Sequence, residues 1–308
     1  MILHDPTIDA AVLETARGGL VRRGMAYRAC DVGAVINVSG DHLGLGGIDT
    51  LEQLAEVKRI IVEVATDTAV LNADDELCLR MADYTKAKHL CYVTMNPRHP
   101  LVREHIRAGA RAALGLDDRP TMLFVGRIQP LKGLTVAVES LARLADKRTR
   151  LVVVGGPSGA DGPAELRRVQ ERIRALGVAE RVQFVDPQPH HMLSSWYRAA
   201  DVVVVPSRSE SFGLVALEAA ACGVPVVASA VGGLRTLVVP GVTGMLVESR
   251  DPESFAAAIA SVLTDPVRAA AMGAAAAEES RRYSWSTTAA RLRRLYADLS
   301  VRTPVACA

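Results

Sequence analysis

The stretch from Asp201 to Val227 constrains the fold more than any other part of this chain. Val202 to Val205 places four β-branched residues in a row with no polar alternation, which suits a strand covered on both faces in a parallel sheet. Pro206 ends the run. Ser207, Ser209 and Ser211 offer capping side chains, and apolar residues recur at helical spacing from Phe212 to Cys222 until Gly223 and Pro225 stop them. The pattern predicts strand, loop, helix and strand, with a helix rising from the carboxyl end of a buried strand. Its first free N–H groups, near Phe212, Gly213 and Leu214, then face the crevice where open α/β sheets bind ligands, and they favour an anion. Glycine at 213 lets a phosphate come close.

Two carboxylates frame that helix, Glu210 before it and Glu218 two turns in, with seven residues between them. Carboxylates accept hydrogen bonds from sugar and ribose hydroxyls, so this spacing can hold the two ends of a nucleotide-sugar whose diphosphate lies at the helix N-terminus. On spacing alone a solvated Glu210 and a salt-bridged Glu218 explain the pattern better than a ligand site does.

The wider context narrows the choice. Ser209 to Ala219, followed by Cys222 to Ala228 and Val231 to Arg235, resembles the donor-site signature of family-4 retaining glycosyltransferases with the GT-B fold. Upstream, strand Thr121 to Val125 leads into Gly126, Arg127 and Lys132, which match the family's Gly-Arg-x4-Lys pattern. Arg127 offers a guanidinium fork and Lys132 a point charge, both suited to a diphosphate leaving group. Strand Leu151 to Val154 ends in Gly155 and Gly156, which allow close backbone approach to a ligand.

Within the family the match is nearest to the inositol-phosphate branch, which implies UDP-N-acetylglucosamine as donor, inositol phosphate as acceptor and retention at the anomeric carbon. By the same resemblance Arg127 and Lys132 stabilise the departing UDP, Glu210 holds the sugar, Glu218 binds ribose hydroxyls, and Pro187 and Gln188 form a wall against uracil. Gly126, Gly155, Gly156, Phe212, Gly213 and Leu214 complete the donor site. No cofactor is required by this half. His190 and His191, placed just before a helix, are expected to be surface residues, and Trp196 and Tyr197 packing residues.

The N-terminal third reads differently. Ala10 to Leu13 is expected to be a short strand, Val32 to Val38 a second, and Asp49 or Thr50 the cap of a helix carrying Leu51, Leu54, Val57, Ile60 and Ile61 on one face. Val70 to Asp75 reads as a strand end with a polar turn. Residues 13–19, 37–44, 56–59 and 71–75 together resemble the central ATPase domain of Mur ligases, in the form found in cyanophycin synthetases. That resemblance puts Glu14, His42 and Lys58 at a magnesium site, with Lys58 carbamylated, and Asn72 and Asp75 in an adenine-side turn. A Gly-x-x-Gly-Lys-[Ser/Thr] loop, which holds the triphosphate in those ligases, has no counterpart before Glu14. ATP-dependent ligation is therefore not expected, and a non-catalytic nucleotide-binding remnant stands as the other alternative to a transferase.

The fold expected is α/β: a Rossmann-like GT-B donor domain of about six parallel strands over 113–308, and an incomplete Mur-ligase-like α/β segment over 1–112. A length of 308 residues suits two domains that each bury a core. The 36 basic and 34 acidic residues leave a net charge of +2, giving no reason to expect nucleic acid or an anionic membrane as partner. Apolar runs are too short to span a bilayer. Five cysteines without paired spacing point to a reduced cytoplasm.

Overall fold

The computed structural model describes residues 10–15, 20–22, 24–25, 27–40, 43–44, 46–96 and 99–301. The chain divides into two compact units, Met1–Arg103 and Glu104–Ala308, and the division falls within the helix Pro100–Ala113.

The first unit is a parallel three-stranded sheet in the order β1-β2-β3, with β1 at Cys30–Val35, β2 at Ala65–Asn72 and β3 at His89–Val93. Thr50 caps the helix Leu51–Glu63: its hydroxyl accepts from Gln53 N at 3.2 Å while Gln53 Oε1 accepts from Thr50 N at 3.2 Å. That helix buries Leu54 and Val62 with Val35, Ala69 and Leu71 of the sheet. The strand expected at Ala10–Leu13 does not form. This stretch has no ladder partner, and Val12 stands fully exposed. An apolar run of four residues leaves its backbone groups to water unless a neighbouring strand pairs with it.

The second unit is a six-stranded, all-parallel sheet in the order β6-β5-β4-β7-β8-β9. The strands are β4 Thr121–Val125, β5 Arg150–Val154, β6 Val182–Val185, β7 Val202–Val205, β8 Val226–Ser229 and β9 Gly244–Val247. Val202 and Val204 enter the core beneath helices Leu134–Arg143, Gly162–Ala175 and Pro252–Leu263. Val203 and Val205 enter the opposite core, beneath His190–Ala199 and Leu214–Ala221. The unbroken valine run is thus explained by burial on both faces, each such side chain stabilising the fold by about 1.5–3 kcal/mol. From β4 the chain builds outward through β5 and β6, then returns to lay β7, β8 and β9 on the other side, so the order reverses between β4 and β7. Ligands of open α/β sheets bind at such a switch point, outside the strand carboxyl ends. No single helix among the described residues is long and apolar enough to cross a membrane.

Asp201, just before β7, ties this unit together. Its Oδ2 accepts from Arg111 Nη2 at 2.6 Å and from Thr121 N at 2.7 Å, and its Oδ1 accepts from Arg107 Nη1 at 2.8 Å. Arg111, which is buried, also donates to Ala199 O at 2.9 Å. Removing one partner of a buried ion pair strands the other charge. Asp201→Ala is accordingly expected to lower unfolding free energy by about 3 kcal/mol in denaturant melts, whereas a change under about 1 kcal/mol would mark the contact as an ordinary surface pair.

Candidate functional site

Loops from both sides of the switch meet at its centre. The loop after β4 carries Lys132 in a short 3-10 turn, Pro130–Lys132, and the loop after β7 carries Glu210. Lys132 Nζ donates to Glu210 Oε2 at 2.7 Å, and both side chains are largely shielded, at 21% and 16% exposure. Ser207 Oγ donates to the same oxygen at 3.4 Å. From below, Gly233 N donates to Glu210 O at 3.0 Å and fixes the loop backbone. Arg127 lies in the same loop as Lys132, exposed, with no hydrogen-bond or ion-pair partner among the described residues. One cation is therefore held by a carboxylate, and a second is free to meet an anion.

The glycines are there for backbone reasons. Gly155 has φ +145, and any Cβ on it would overlap the carbonyl of Gly126, so the ends of β4 and β5 can close together only without side chains. Gly156 O accepts from Ile128 N at 2.8 Å, and Pro187 packs against Gly156. Gln188 turns its amide to Asp186 O at 3.0 Å. Phe212 is partly exposed and meets Tyr283 edge-on at 6.0 Å, while Leu214 is exposed. A cavity of about 360 Å³ beside the β4 loop is lined by Gln129, Pro130, Leu131, Ser158 and Arg208, among others, and by none of the donor-site residues named above.

Helix Leu214–Ala221 departs from expectation at its start. No serine caps it: the cap position is Gly213, in the left-handed region at φ 99 and ψ 47, with no side-chain cap hydrogen bond. A left-handed residue at this position reorients the chain between Ser211 and the helix, and Ser207 turns to Glu210 instead. That conformation favours glycine at 213, and a Cβ there would also crowd Leu234 Cδ2 at 2.9 Å. Because the helix begins only at Leu214, Glu218 sits just past its first turn rather than two turns in.

Glu218 is the second organised centre. Its Oε2 accepts from Tyr197 OH at 2.7 Å, and its Oε1 lies 3.1 Å from His190 Nε2. Tyr197 is buried, and burial followed by the hydrogen bond and charge of Glu218 holds its phenol protonated, far above its ordinary range. His190 and His191 open the helix His190–Ala199 rather than precede it. Exposed though it is, His190 reaches the carboxylate. Neither Tyr197 nor His190 was assigned from sequence beyond packing and surface; a buried tyrosine hydroxyl, which requires a partner, was the available signal. Burial raises the Cys222 thiol above its ordinary range.

The ligase-like residues form a different picture. Lys58 Nζ donates to Asn37 O at 2.9 Å and to Asn37 Oδ1 at 3.3 Å, Glu14 is exposed, and His42 lies outside the described residues. Asp75 caps the helix Glu76–Arg80, accepting from Leu77 N at 3.0 Å and Cys78 N at 3.1 Å, and its other oxygen accepts from Val38 N at 2.7 Å. Asn72 donates to Ile36 O at 3.0 Å. These contacts account for Asn72 and Asp75 as structural residues of the β2 turn. No group of three His, Cys, Asp or Glu side chains arranged to hold a metal occurs among the described residues.

A family profile described as "Glycosyl transferases group 1" matches residues 107–279, more than half of the chain. The chain belongs to that family. A "Mur ligase middle domain" profile matches residues 2–110, overlapping the glycosyltransferase match only at its edge. Among curated glycosyltransferases, the chain is 49% identical over 199 residues to D-inositol 3-phosphate glycosyltransferase of Thermobispora bispora, an alignment covering 62% of this chain and 46% of that protein. It thus spans about half the length of the curated relatives it matches. Among solved structures, sucrose-phosphate synthase from Thermosynechococcus elongatus aligns at 34% identity with a TM-score of 0.59, covering 80% of this chain and 62% of the other. The Anabaena HepE protein in complex with UDP and glucose aligns at 21% identity with a TM-score of 0.59, covering 80% and 67%, and supports the glycosyltransferase fold alone.

Proposed function

We propose that the glycosyltransferase half binds a UDP-sugar, UDP-N-acetylglucosamine by resemblance to the inositol-phosphate branch, in the crevice between the β4 and β7 loops. The observation that carries this reading is the Lys132–Glu210 pair, which joins the two loops at 2.7 Å, with Arg127, unpartnered among the described residues, in the same β4 loop. Arg127 and Lys132 face the diphosphate and stabilise the charge that develops on it as the glycosidic bond to the sugar breaks. Glu210 accepts from sugar hydroxyls, Glu218 accepts from the ribose, and Pro187 with Gln188 borders the base. Gly126, Gly155 and Gly156 leave room for the ligand against the strand ends. The acceptor is an inositol phosphate by the same resemblance. Efficient transfer requires an acceptor-binding half, and residues 2–110, which match a Mur ligase domain, are not expected to supply one.

In this reading the donor half requires no metal, because Arg127 and Lys132 supply the positive charge that meets the diphosphate. A reducing cytoplasm is the compartment we assign, on the four cysteines that stand free among the described residues. Hydrogen exchange on the full chain, with and without UDP-N-acetylglucosamine, tests the location. Slowed exchange is expected at 126–133 and 210–218. Protection confined to 36–75 would place the nucleotide in the ligase-like unit and overturn the reading.

A further inference from the structure

A carboxylate offers about four lone-pair positions. In Glu218 one position on each oxygen is already engaged, by Tyr197 OH at 2.7 Å and by His190 Nε2 at 3.1 Å. The two partners differ in what they can do. His190 is exposed on the surface and can be displaced by water, whereas Tyr197 is buried to 1% exposure and cannot move without opening the core around it. Its hydroxyl reaches Glu218 across the packing between helices His190–Ala199 and Leu214–Ala221.

We propose that Tyr197 is a positioning residue that locks the Glu218 carboxylate so that its free lone pairs accept both hydroxyls of a cis-diol, making the site selective for ribonucleoside diphosphates over their deoxy forms. This rests on the reading of Glu218 as the ribose ligand. With the carboxylate free to turn about its last torsion, the two hydroxyls would meet it in many orientations; held by a buried donor, it presents one. The phenol suits that task because burial, and then the neighbouring Glu218, hold it protonated well above its ordinary range, and hence a donor.

The test compares dissociation constants of UDP and of 2′,3′-dideoxyuridine diphosphate for the full chain and for two variants, Tyr197→Phe and Glu218→Ala. Phenylalanine fills the same space, and the Glu218 side chain, 27% exposed, keeps access to water, so Tyr197→Phe strands no buried charge. Because each ratio comes from one preparation, an inactive fraction cancels. The unaltered chain is expected to favour UDP by about tenfold or more, as a site built to hydrogen-bond hydroxyls rejects analogues lacking them. Glu218→Ala should abolish the preference, and Tyr197→Phe should reduce it to within about threefold. A full preference in Tyr197→Phe together with its loss in Glu218→Ala would overturn the positioning role and leave the ribose reading intact. An unaltered chain that binds both nucleotides equally would remove the ribose reading itself and the inference with it.

Discussion

Supplied with UDP-N-acetylglucosamine and inositol phosphate, the full 308-residue chain is expected to transfer sugar at least about 10⁵-fold more slowly than an enzyme holding both substrates in register. Donor chemistry alone does not set the rate. Fixing an acceptor hydroxyl beside the anomeric carbon and excluding water from that junction is worth roughly 7–11 kcal/mol of barrier. A leaving-group site of the Arg127 and Lys132 kind contributes a few kcal/mol for each donor. The glycosyltransferase match covers residues 107–279, and the preceding residues match a Mur ligase domain instead. Slow hydrolysis of the bound UDP-sugar is compatible with such a site. A coupled assay of UDP release, run with and without acceptor, separates the two outcomes. Acceptor-dependent turnover at ordinary enzymatic rates, on the order of 1–10³ s⁻¹, would mean that the first unit provides an acceptor site.

The second large effect is expected from removing the two cations. A hydrogen bond to a charged group contributes about 1.5–3 kcal/mol, so Arg127→Ala combined with Lys132→Ala should weaken UDP binding by about 10²–10⁴-fold. The single variants should not be equal. Arg127 is exposed and unpartnered among the described residues, so its loss removes an attraction partly screened by water. Lys132→Ala also leaves Glu210, only 16% exposed, without its counter-charge and next to the incoming diphosphate. Repulsion from that stranded carboxylate makes Lys132→Ala the more damaging change. Adding Glu210→Gln to Lys132→Ala is expected to recover part of the lost affinity for UDP, because the repulsion goes with the charge.

How much of this was legible in the sequence depends on whether the decisive contact was local. The valine run Val202–Val205 could be read as a doubly covered strand because burial on both faces leaves no polar alternation, and the structure places alternate valines in opposite cores. Thr50 could be read as a cap because its partner, Gln53, is three residues away. By contrast, Ala10–Leu13 has strand composition but no neighbouring strand, and composition says nothing of partners. The serines before Leu214 have capping chemistry, yet the backbone at Gly213 turns left-handed and no serine side chain caps the helix.

Long-range contacts were the least visible. Tyr197 lies 21 residues from Glu218, and Arg107 and Arg111 lie 94 and 90 residues from Asp201. The spacing of the arginines places them on one helix face, but nothing in sequence says which carboxylate they meet. Arg127, Lys132, Glu210 and Glu218 were visible only as residue types in a recognisable pattern. The meeting of Lys132 with Glu210 and of Tyr197 with Glu218 emerges only once the β4 and β7 loops and the two helices are folded against one another.

Calorimetry of the full chain and of the Arg127→Ala, Lys132→Ala double variant, titrated in turn with UDP and with ATP, addresses the central claim most directly. The account predicts one saturable UDP site in the unaltered chain, binding ATP more weakly or not at all, with the UDP heat lost in the double variant. ATP bound more tightly than UDP, or UDP bound equally well by both proteins, would contradict it.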